Sequence, residues 1–446
     1  MNLSEFRAKV EDSMTALIRM YLDEADTRDW AVAWSGGKDS TIVMSLVVKM
    51  LENLPPERRT RKIHAVMSDT QIENPELGLY MRDQVASLNK YAAKHGLPID
   101  AQTVSRPVEK SYFVLTLGRG YFLPQNNGAG RWCTGRLKLD PQNAALKAVN
   151  PSHILIGTRL AESAKRAESI RKWTVSDRIG EHANLSETNT FMIIVDWTVE
   201  DVWQYLSEVN LGWTTTTEVR RLYKEATGEC GINNPKGVEV KASKMEACGA
   251  RFGCWLCPVI TSDRSTEEMS KYHSWLEPLS DYRAVQAKVY GSFVPARPKG
   301  QSAKDRSASL RRQEAINERV NRITKAGHNR PGKRMKNGQG TFTVEARKYL
   351  FDYLMDTQKV VNRLRKIDGL EPLELISAEE IEIIKALWAE DYAEYPLLIQ
   401  NVEDIAITEL DDLIDGNIAQ ADVDAYIDRR RTKLAQKSIE DNKGGK

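Results

Sequence analysis

The loop Ser35–Ser40, which reads Ser-Gly-Gly-Lys-Asp-Ser, constrains the fold of this chain more than any other feature. It follows the short apolar run Trp30–Trp34, which has the length of a buried parallel strand. Beyond it, apolar residues recur every three or four positions from Ile42 to Leu51, the spacing of a helix, and two prolines end the pattern. Because a strand, a glycine turn and a helix follow one another, the sequence predicts an anion site at the start of that helix.

The residue types in this loop suit a phosphate. Gly36 and Gly37 allow a turn with positive φ and bring backbone N–H groups close to an anion. The Lys38 ammonium offsets phosphate charge, and the hydroxyls of Ser35 and Ser40 can donate to phosphate oxygens. The spacing differs from the Gly-x-x-x-x-Gly-Lys-Ser/Thr of P-loop proteins, and the alternative interpretation is an ordinary glycine turn.

Strand-like and helix-like segments alternate over the first half of the chain, which predicts an α/β fold with a parallel sheet covered on both faces. Helices are expected at 4–24, after the loop, at 76–94 and after Thr198 as N-cap. The predicted strands are Trp30–Trp34, Ile63–Met67, Ile99–Val104, Ile154–Ile156 and Met192–Val195.

Three polar segments each follow a predicted strand: Ser35–Ser40, Ser68–Thr70 and Gly157–Arg159. Parallel sheets bind ligands beyond the carboxyl ends of their strands. We therefore expect the three segments to meet at one edge of the sheet.

Composition adds outer limits. The 446 residues favour two or three domains, and neither a membrane-spanning apolar run nor a signal peptide is present, so a cytoplasmic protein without membrane contact is expected. The net charge of +2 predicts no polyanion partner by itself. Between Arg297 and Arg347, however, fourteen Lys and Arg stand against four Asp and Glu. That stretch can track a DNA backbone, dock on an acidic partner or be a solvated surface.

Four of the five cysteines, Cys230, Cys248, Cys254 and Cys257, fall within twenty-eight residues. In a reducing compartment this clustering indicates a metal or cluster site before it indicates disulfides. Four thiolates suit a tetrahedral zinc ion or a [4Fe–4S] cluster, and the spacing alone accepts both.

Motifs in a fixed order carry a resemblance to known proteins. Besides the loop they are Ser68-Asp69-Thr70 with Glu73-Asn74-Pro75, Arg131-Trp132-Cys133-Thr134 with Arg136-Leu137-Lys138, Gly157-Thr158-Arg159 with Glu162-Ser163 and Arg166, Asp196-Trp197 with Asp201-Val202-Trp203, Gly228-Glu229-Cys230, Cys248-Gly249 and Arg251–Cys257. The loop resembles the pyrophosphate loop (PP-loop) of the adenine-nucleotide α-hydrolase superfamily. The series, from about residue 28 to 270, resembles the DndC/SspD family of DNA phosphorothioation proteins, relatives of phosphoadenosine phosphosulfate (PAPS) reductase.

The resemblance implies a Rossmann-like PP-loop fold with a cysteine-rich insertion and a helical C-terminal region. The expected division is an ATP pyrophosphatase domain at 1–213, an iron–sulfur segment at 214–275, and a basic linker with a helical region at 276–446. It implies ATP-dependent adenylation of a DNA backbone phosphate with release of pyrophosphate, and then sulfur insertion with a [4Fe–4S] cluster as carrier. A cysteine desulfurase would supply the sulfur, and other subunits of the system would present the DNA.

Residue roles follow from the same resemblance. Asp39 and Asp69 would hold Mg²⁺, and the cluster would take the four clustered cysteines. Arg159 and Arg166 would clamp a phosphate of ATP or DNA, the alternative being ordinary surface arginines. Cys133, flanked in sequence by arginines that favour its thiolate, would carry a persulfide or be a small packed residue.

Other functions stay open. A PAPS reductase usually has a catalytic cysteine near its C-terminus, and no cysteine follows Cys257 here. A tRNA thiolase would share the ATP chemistry and the cluster and differ in its nucleic acid. A non-catalytic DNA-binding or scaffold subunit would keep the fold without the chemistry, which the intact Ser35–Ser40 loop argues against.

Overall fold

A computed structural model of the chain describes residues 3–124, 131–182, 184–185, 187–227, 253–260, 263–293 and 344–394. The chain divides into two compact units. The first contains Met1–Arg106 and Cys133–Glu225, and the second contains Pro107–Trp132 and Gly253–Lys446. The boundaries expected at residues 213 and 275 stay a prediction.

The first unit is built on a seven-stranded sheet. Its strands are β1 (Trp30–Ala33), β2 (Ile63–Ser68), β3 (Ile99–Val104), β4 (His153–Leu155), β5 (Thr174–Ser176), β6 (Ile179–Glu181) and β7 (Asn189–Phe191). The order is β3-β2-β1-β4-β7-β6-β5, with parallel pairing from β3 to β7 and antiparallel pairing of β6 with both β7 and β5. The predicted α/β fold is confirmed, although the sheet is mostly rather than wholly parallel.

Seven helices are described along this part of the chain. They are α1 (Leu3–Tyr21), α2 (Lys38–Asn53), α3 (Pro75–His95), α4 (Asp140–Val149), α5 (Ala164–Trp173), α6 (Val199–Glu208) and α7 (Thr216–Thr227). Local sequence fixes several ends. The Asn74 side chain accepts from the Glu76 N–H at the start of α3, and Thr198 and Asp201 form the capping box of α6, which confirms the predicted N-cap.

The core places the Ser35–Ser40 loop at the centre of the sheet. Strand β1 lies between β2 and β4, and its Trp30 and Val32 are fully buried. On α2 the apolar residues from Ile42 to Leu51 are buried too, as expected of a helix that packs on the sheet. The buried strand before the loop and the buried helix after it therefore hold the turn between two rigid elements.

One local prediction in the first unit is wrong. The segment Met192–Val195 is not a strand, because β7 ends at Phe191 and the chain then turns, with Val195 N–H bonded to Met192 O at 3.2 Å. Its apolar side chains are buried, so burial rather than pairing accounts for the pattern. The segment expected at 214–275 begins with the helix α7, and its residues 228–252 lie outside the described ones.

The second unit is helical where it is described. It contains α8 (Arg264–Met269), α9 (Glu277–Phe293), α10 (Val344–Ile367) and α11 (Ala378–Glu394), which confirms the predicted helical C-terminal region. The Trp388 indole N–H donates to Leu117 O at 2.8 Å, and Arg347 donates to Gly118 O. Most of the basic stretch 297–347 lies outside the described residues. None of the helices in the described ranges is long and apolar enough to cross a membrane.

Candidate phosphate-binding site

The two glycines of the Ser35–Ser40 loop are required for different reasons, one for its backbone conformation and the other for space. Gly36 has a φ of 70°, in the left-handed region, and an added Cβ would lie 3.2 Å from Tyr80 Cε1. Gly37 is extended, with a φ of −72° and a ψ of 163°. The predicted positive φ is therefore right for Gly36 and wrong for Gly37. Gly37 is needed for space, because a Cβ there would lie 3.2 Å from the Tyr223 hydroxyl oxygen.

The two serines close the turn. The Ser35 N–H donates to Ser40 Oγ at 3.2 Å, and the two hydroxyl oxygens are 3.0 Å apart. Ser40 Oγ also donates to Gly37 O at 3.1 Å. Ser35 is exposed whereas Ser40 is buried. The hydroxyls therefore shape the loop, and their contact with a phosphate stays a prediction.

Asp39 stands between two cations. Lys38 Nζ lies 3.0 Å from Asp39 Oδ2, and Arg159 Nε lies 2.7 Å from Asp39 Oδ1. Arg159 is only 3% exposed and also donates to Trp197 O at 3.2 Å. The structure thus brings three of the predicted site residues together, and the group carries a net positive charge beside the start of α2.

Gly157 allows this approach between β4 and α2. An added Cβ at Gly157 would lie 2.9 Å from both Asp39 C and Ser40 N, backbone atoms that cannot swing away. The loops after β1 and β4 therefore meet at the carboxyl edge of the sheet, which confirms that part of the expectation.

The loop after β2 carries a carboxylate pair. Asp69 Oδ1 accepts from the Gln71 N–H at 2.7 Å, and the Glu73 carboxylate accepts from the Thr70 N–H at 3.0 and 3.2 Å. Burial, with the nearby Asp69 carboxylate, raises the pKa of Glu73 to about 7. Arg82 Nη1 lies 3.7 Å from Asp69 Oδ2. From the sequence Glu73 has no role of its own, only a place in the Glu73-Asn74-Pro75 motif.

Two tyrosines flank the glycines and were not identified from the sequence. The Tyr223 hydroxyl accepts from the Lys38 N–H at 3.2 Å, and burial raises its pKa above 10.0. The Tyr80 ring lies against Gly36, and burial raises the pKa of its hydroxyl as well. Within the described chain the Tyr80 hydroxyl has no hydrogen-bond partner. A tyrosine on a helix gives no sequence signal for such a position.

Two further predicted residues lie outside this group. Arg166 is on α5, where its Nε pairs with Glu162 Oε2 at 3.2 Å and its side chain is 46% exposed. Cys133 is half-buried and precedes a widened helical turn at Thr134–Leu139. That turn is tied to β2 by a hydrogen bond from Ser68 Oγ to Lys138 O at 3.1 Å. Their proposed roles stay predictions.

In the second unit, Cys254 and Cys257 occupy one tight turn. The Cys257 N–H donates to Cys254 O at 3.0 Å, and both thiols are partly buried and not in a disulfide. Two side chains of helix α9 hydrogen-bond to this turn: Arg283 Nε donates to Cys257 O at 2.7 Å, and Gln286 Nε2 donates to Leu256 O at 3.2 Å. Cys230 and Cys248 lie outside the described residues.

These residues suit the implied metal groups to different extents. In the ranges that the structure describes, no three His, Cys, Asp or Glu side chains form a metal cage. A Mg²⁺ ion that arrives with a triphosphate needs only one or two protein carboxylates, and Asp39 and Asp69 fit that need after the neighbouring strands β1 and β2. For a cluster, the paired thiols of Cys254 and Cys257 provide two of four ligands.

The model of the phosphoadenosine phosphosulfate reductase domain matches residues 29–259. No curated protein sequence matches the chain.

Three solved structures similar to the chain have TM-scores of 0.29 to 0.32. A phosphoadenylyl-sulfate (PAPS) reductase from Candida auris, in a phosphate complex, is 14% identical over 47% of this chain and 87% of its own, with a TM-score of 0.29. FMN adenylyltransferase from Candida glabrata, with FAD and inorganic pyrophosphate, is 12% identical over 56% of this chain and 75% of its own, with a TM-score of 0.32. The U34-tRNA thiolase NcsA from Methanococcus maripaludis, with its [4Fe–4S] cluster, is 12% identical over 67% of this chain and 84% of its own, with a TM-score of 0.29.

Proposed function

This chain belongs to the phosphoadenosine phosphosulfate reductase domain family, and from that premise we propose that it is an ATP-cleaving enzyme that inserts sulfur into the DNA backbone. The observation that carries the ATP assignment is the Ser35–Ser40 turn at the start of α2, with Lys38 and Arg159 converging beside it. The DNA assignment rests on the order of motifs that resembles the DndC/SspD family.

The loop would hold the β- and γ-phosphates of ATP. Backbone N–H groups at the start of α2 and the positive end of its dipole favour the anion, and the Lys38 ammonium can leave Asp39 for a phosphate oxygen. Arg159 keeps its buried contact with Asp39 and so fixes the orientation of the carboxylate. Mg²⁺, held by Asp39 and Asp69, would offset the charge that develops on the leaving pyrophosphate.

Two substitutions at phosphorus complete the proposed reaction. A non-bridging oxygen of the DNA phosphate attacks the α-phosphorus of ATP, and pyrophosphate leaves. Hydrosulfide then attacks the adenylated DNA phosphorus, the bond to the AMP oxygen breaks, and a base takes the sulfur proton. No electron is gained or lost in either step. A [4Fe–4S] cluster on Cys230, Cys248, Cys254 and Cys257 would supply the sulfur-carrying chemistry when bound.

Partners and location belong to the same proposal. DNA would be the substrate, a cysteine desulfurase the sulfur source, and further subunits would present the DNA in the cytoplasm. The basic stretch 297–347 would add phosphate contacts, which makes DNA binding strongly dependent on salt. Cys133 would receive the sulfur as a persulfide, which a thiol reductant would cleave to release hydrosulfide while the reductant is oxidised to a disulfide. Arg166 would contact a DNA phosphate.

The test supplies purified protein anaerobically with ATP, Mg²⁺, sulfide and DNA, and with tRNA or a sulfonucleotide in parallel. The proposal expects pyrophosphate and AMP in the DNA reaction, with phosphorothioate found by mass spectrometry after nuclease digestion. Lys38→Met should lose most of the pyrophosphate release, while Lys94→Met, at an exposed lysine at the end of α3, should keep it. Sulfur transfer to tRNA alone would favour a thiolase, and sulfite from the sulfonucleotide would favour a reductase. No pyrophosphate from ATP with any acceptor would contradict the assignment as an ATP-cleaving enzyme.

A further inference from the structure

Helix α7 places a side chain directly on the phosphate loop. The Tyr223 hydroxyl oxygen accepts a hydrogen bond from the backbone N–H of Lys38, at 3.2 Å. It also lies where a Cβ on Gly37 would be 3.2 Å away. The Lys38 ammonium stands 5.1 Å from the centre of the Tyr223 ring, a cation–π distance. One tyrosine thus contacts the backbone and the side chain of the residue best suited to bind phosphate.

The position of Tyr223 is set by its neighbours. The ring of Trp203, on α6, meets the Tyr223 ring edge to face at 5.5 Å and 85°. Two residues earlier on α7, Arg221 pairs with Glu225 at 3.0 Å and with Glu218 at 3.1 Å, and it lies 4.0 Å from Glu76 at the start of α3. These contacts hold α7 by aromatic packing on one side and by partly exposed ion pairs on the other.

The Lys38 N–H is the first N–H of α2, and Gly37, its N-cap, has no side chain to satisfy the amides of the first turn. Such amides are the groups that bind anions at helix N-termini. An N–H makes one strong hydrogen bond at a time. A phosphate oxygen and the Tyr223 hydroxyl therefore compete for the same donor, and the Lys38 ammonium faces the same choice between phosphate and ring.

We propose that Tyr223 is a positioning residue that latches the phosphate loop and that the triphosphate of a nucleotide displaces. This inference rests on the proposed function, in which the loop binds the β- and γ-phosphates of ATP. Before binding, the Tyr223 hydroxyl satisfies the Lys38 amide and the ring holds the ammonium near its working position. On binding, both groups of Lys38 turn to phosphate, and the Tyr223 side chain leaves its contact with Trp203. Occupancy of the loop is then transmitted to α7.

The experiment compares the wild type, Tyr223→Phe and a matched control, Tyr205→Phe. Tyr205 is a buried tyrosine whose hydroxyl is hydrogen-bonded to Ser45 Oγ at 3.0 Å, and none of its described contacts is with the loop. Inorganic pyrophosphate and ATP are titrated by calorimetry, and unfolding of each variant is followed in urea. Tryptophan emission is recorded with and without ligand, and again in a Trp203→Phe background.

If Tyr223 is a latch, Tyr223→Phe should bind pyrophosphate about two- to tenfold more tightly than the wild type, because the Lys38 N–H then has no hydrogen bond to give up. Tyr205→Phe should bind like the wild type. Ligand should change the tryptophan emission of the wild type, and Trp203→Phe should remove most of that change. Binding by Tyr223→Phe alone, with a wild type too weak to measure, would support the latch as well.

Other outcomes of these titrations would overturn the proposal that Tyr223 is a latch. Equal affinity of Tyr223→Phe and the wild type, or weaker binding by the variant, would make the hydroxyl a bystander or a phosphate ligand, while ATP binding by the loop would stand. Failure of wild type and variant alike to bind either anion, with both folded, would overturn the phosphate-loop assignment and the latch with it.

Discussion

Asp39 lies beside the proposed phosphate site and would repel a phosphate if its charge were not offset. The Lys38 ammonium at 3.0 Å and Arg159 Nε at 2.7 Å outnumber that single negative charge. Since Arg159 is nearly inaccessible to solvent, its charge is screened less than that of a surface arginine. The residues that make this group were all singled out from the sequence, but their pairing was not.

Replacement of Arg159 by alanine is expected to lower the free energy of unfolding by about 2–4 kcal/mol, because Asp39 loses a partner and Trp197 O loses a donor. The matched control is Arg166→Ala, which removes an exposed ion pair with Glu162 and should change stability by at most about 1 kcal/mol. Urea denaturation of the two variants measures the difference. Similar losses for both would show that the buried contacts of Arg159 stabilise the fold no more than an exposed ion pair does.

Glu73 gives the site a pH dependence. Its pKa is raised from 4.5 to about 7, so between these values the folded state holds a proton that the unfolded state releases. The free energy of unfolding should therefore fall as the pH rises from about 4.5 to 7, by at most about 1.4 kcal/mol per pH unit. Glu73→Gln should remove this slope and still accept from the Thr70 N–H. Denaturation curves for the two proteins at pH 5, 6, 7 and 8 test this, and a constant difference would contradict it.

Some residues of the site can be recognised from the sequence and others cannot. Loop residues such as Gly36 and Lys38 are recognisable because the chemistry of phosphate binding uses those residue types in that spacing. Tyr223 is separated from Lys38 by 185 positions, and tyrosines on helices are mostly ordinary packing residues. Contact of that kind depends on how α7 is placed on α2, which no local pattern encodes.

Among the elements, those with a strong local signal were predicted well. The strand Ile99–Val104 has the predicted bounds, and the helices after the loop and after Asn74 begin within a residue or two of their expected starts. The error at Met192–Val195 has a physical cause, since a buried apolar turn and a buried strand both exclude polar residues. The short antiparallel pair of β5 and β6 lacks an Asn-Gly or Asp-Gly turn and could not be recognised.

At the scale of packed elements, a substitution of Gly157 tests whether the loop after β4 must approach α2 closely. Gly157→Ala should lower the free energy of unfolding by about 1–3 kcal/mol, because the new methyl group meets backbone atoms of Asp39 and Ser40 at 2.9 Å. It should also weaken pyrophosphate binding, since relief of the overlap moves the loop. Gly135→Ala is the control, as an added Cβ there has nothing within 4 Å. Calorimetric titration and urea denaturation measure both effects, and equal behaviour of the two variants would show that the loop tolerates displacement.

For the whole molecule, the alternation of strands and helices in the first half of the chain follows from the sequence, whereas no sequence pattern marks a discontinuous unit. The first unit is interrupted after Arg106 and continues from Cys133. The segment between them, Pro107–Trp132, belongs to the second unit. The segment is held there by long-range contacts such as Trp388 with Leu117, which are 271 positions apart. Periodicity describes neighbours along the chain, and a discontinuous unit is defined by contacts between distant residues.

The phosphate loop is in the first unit and the Cys254–Cys257 turn is in the second. We therefore expect metal binding and nucleotide binding to be lost independently. Protein purified anaerobically should hold about four iron atoms per chain, with visible absorption, as four thiolate ligands imply. The double variant Cys254→Ser, Cys257→Ser should lose the iron and keep its affinity for pyrophosphate, because the described contacts of the loop are made by residues of the first unit. Cys133→Ser, a half-buried thiol of the first unit, should keep its iron. One zinc and no colour would make the cysteines structural, and loss of pyrophosphate binding in the double variant would mean that the loop depends on the bound metal.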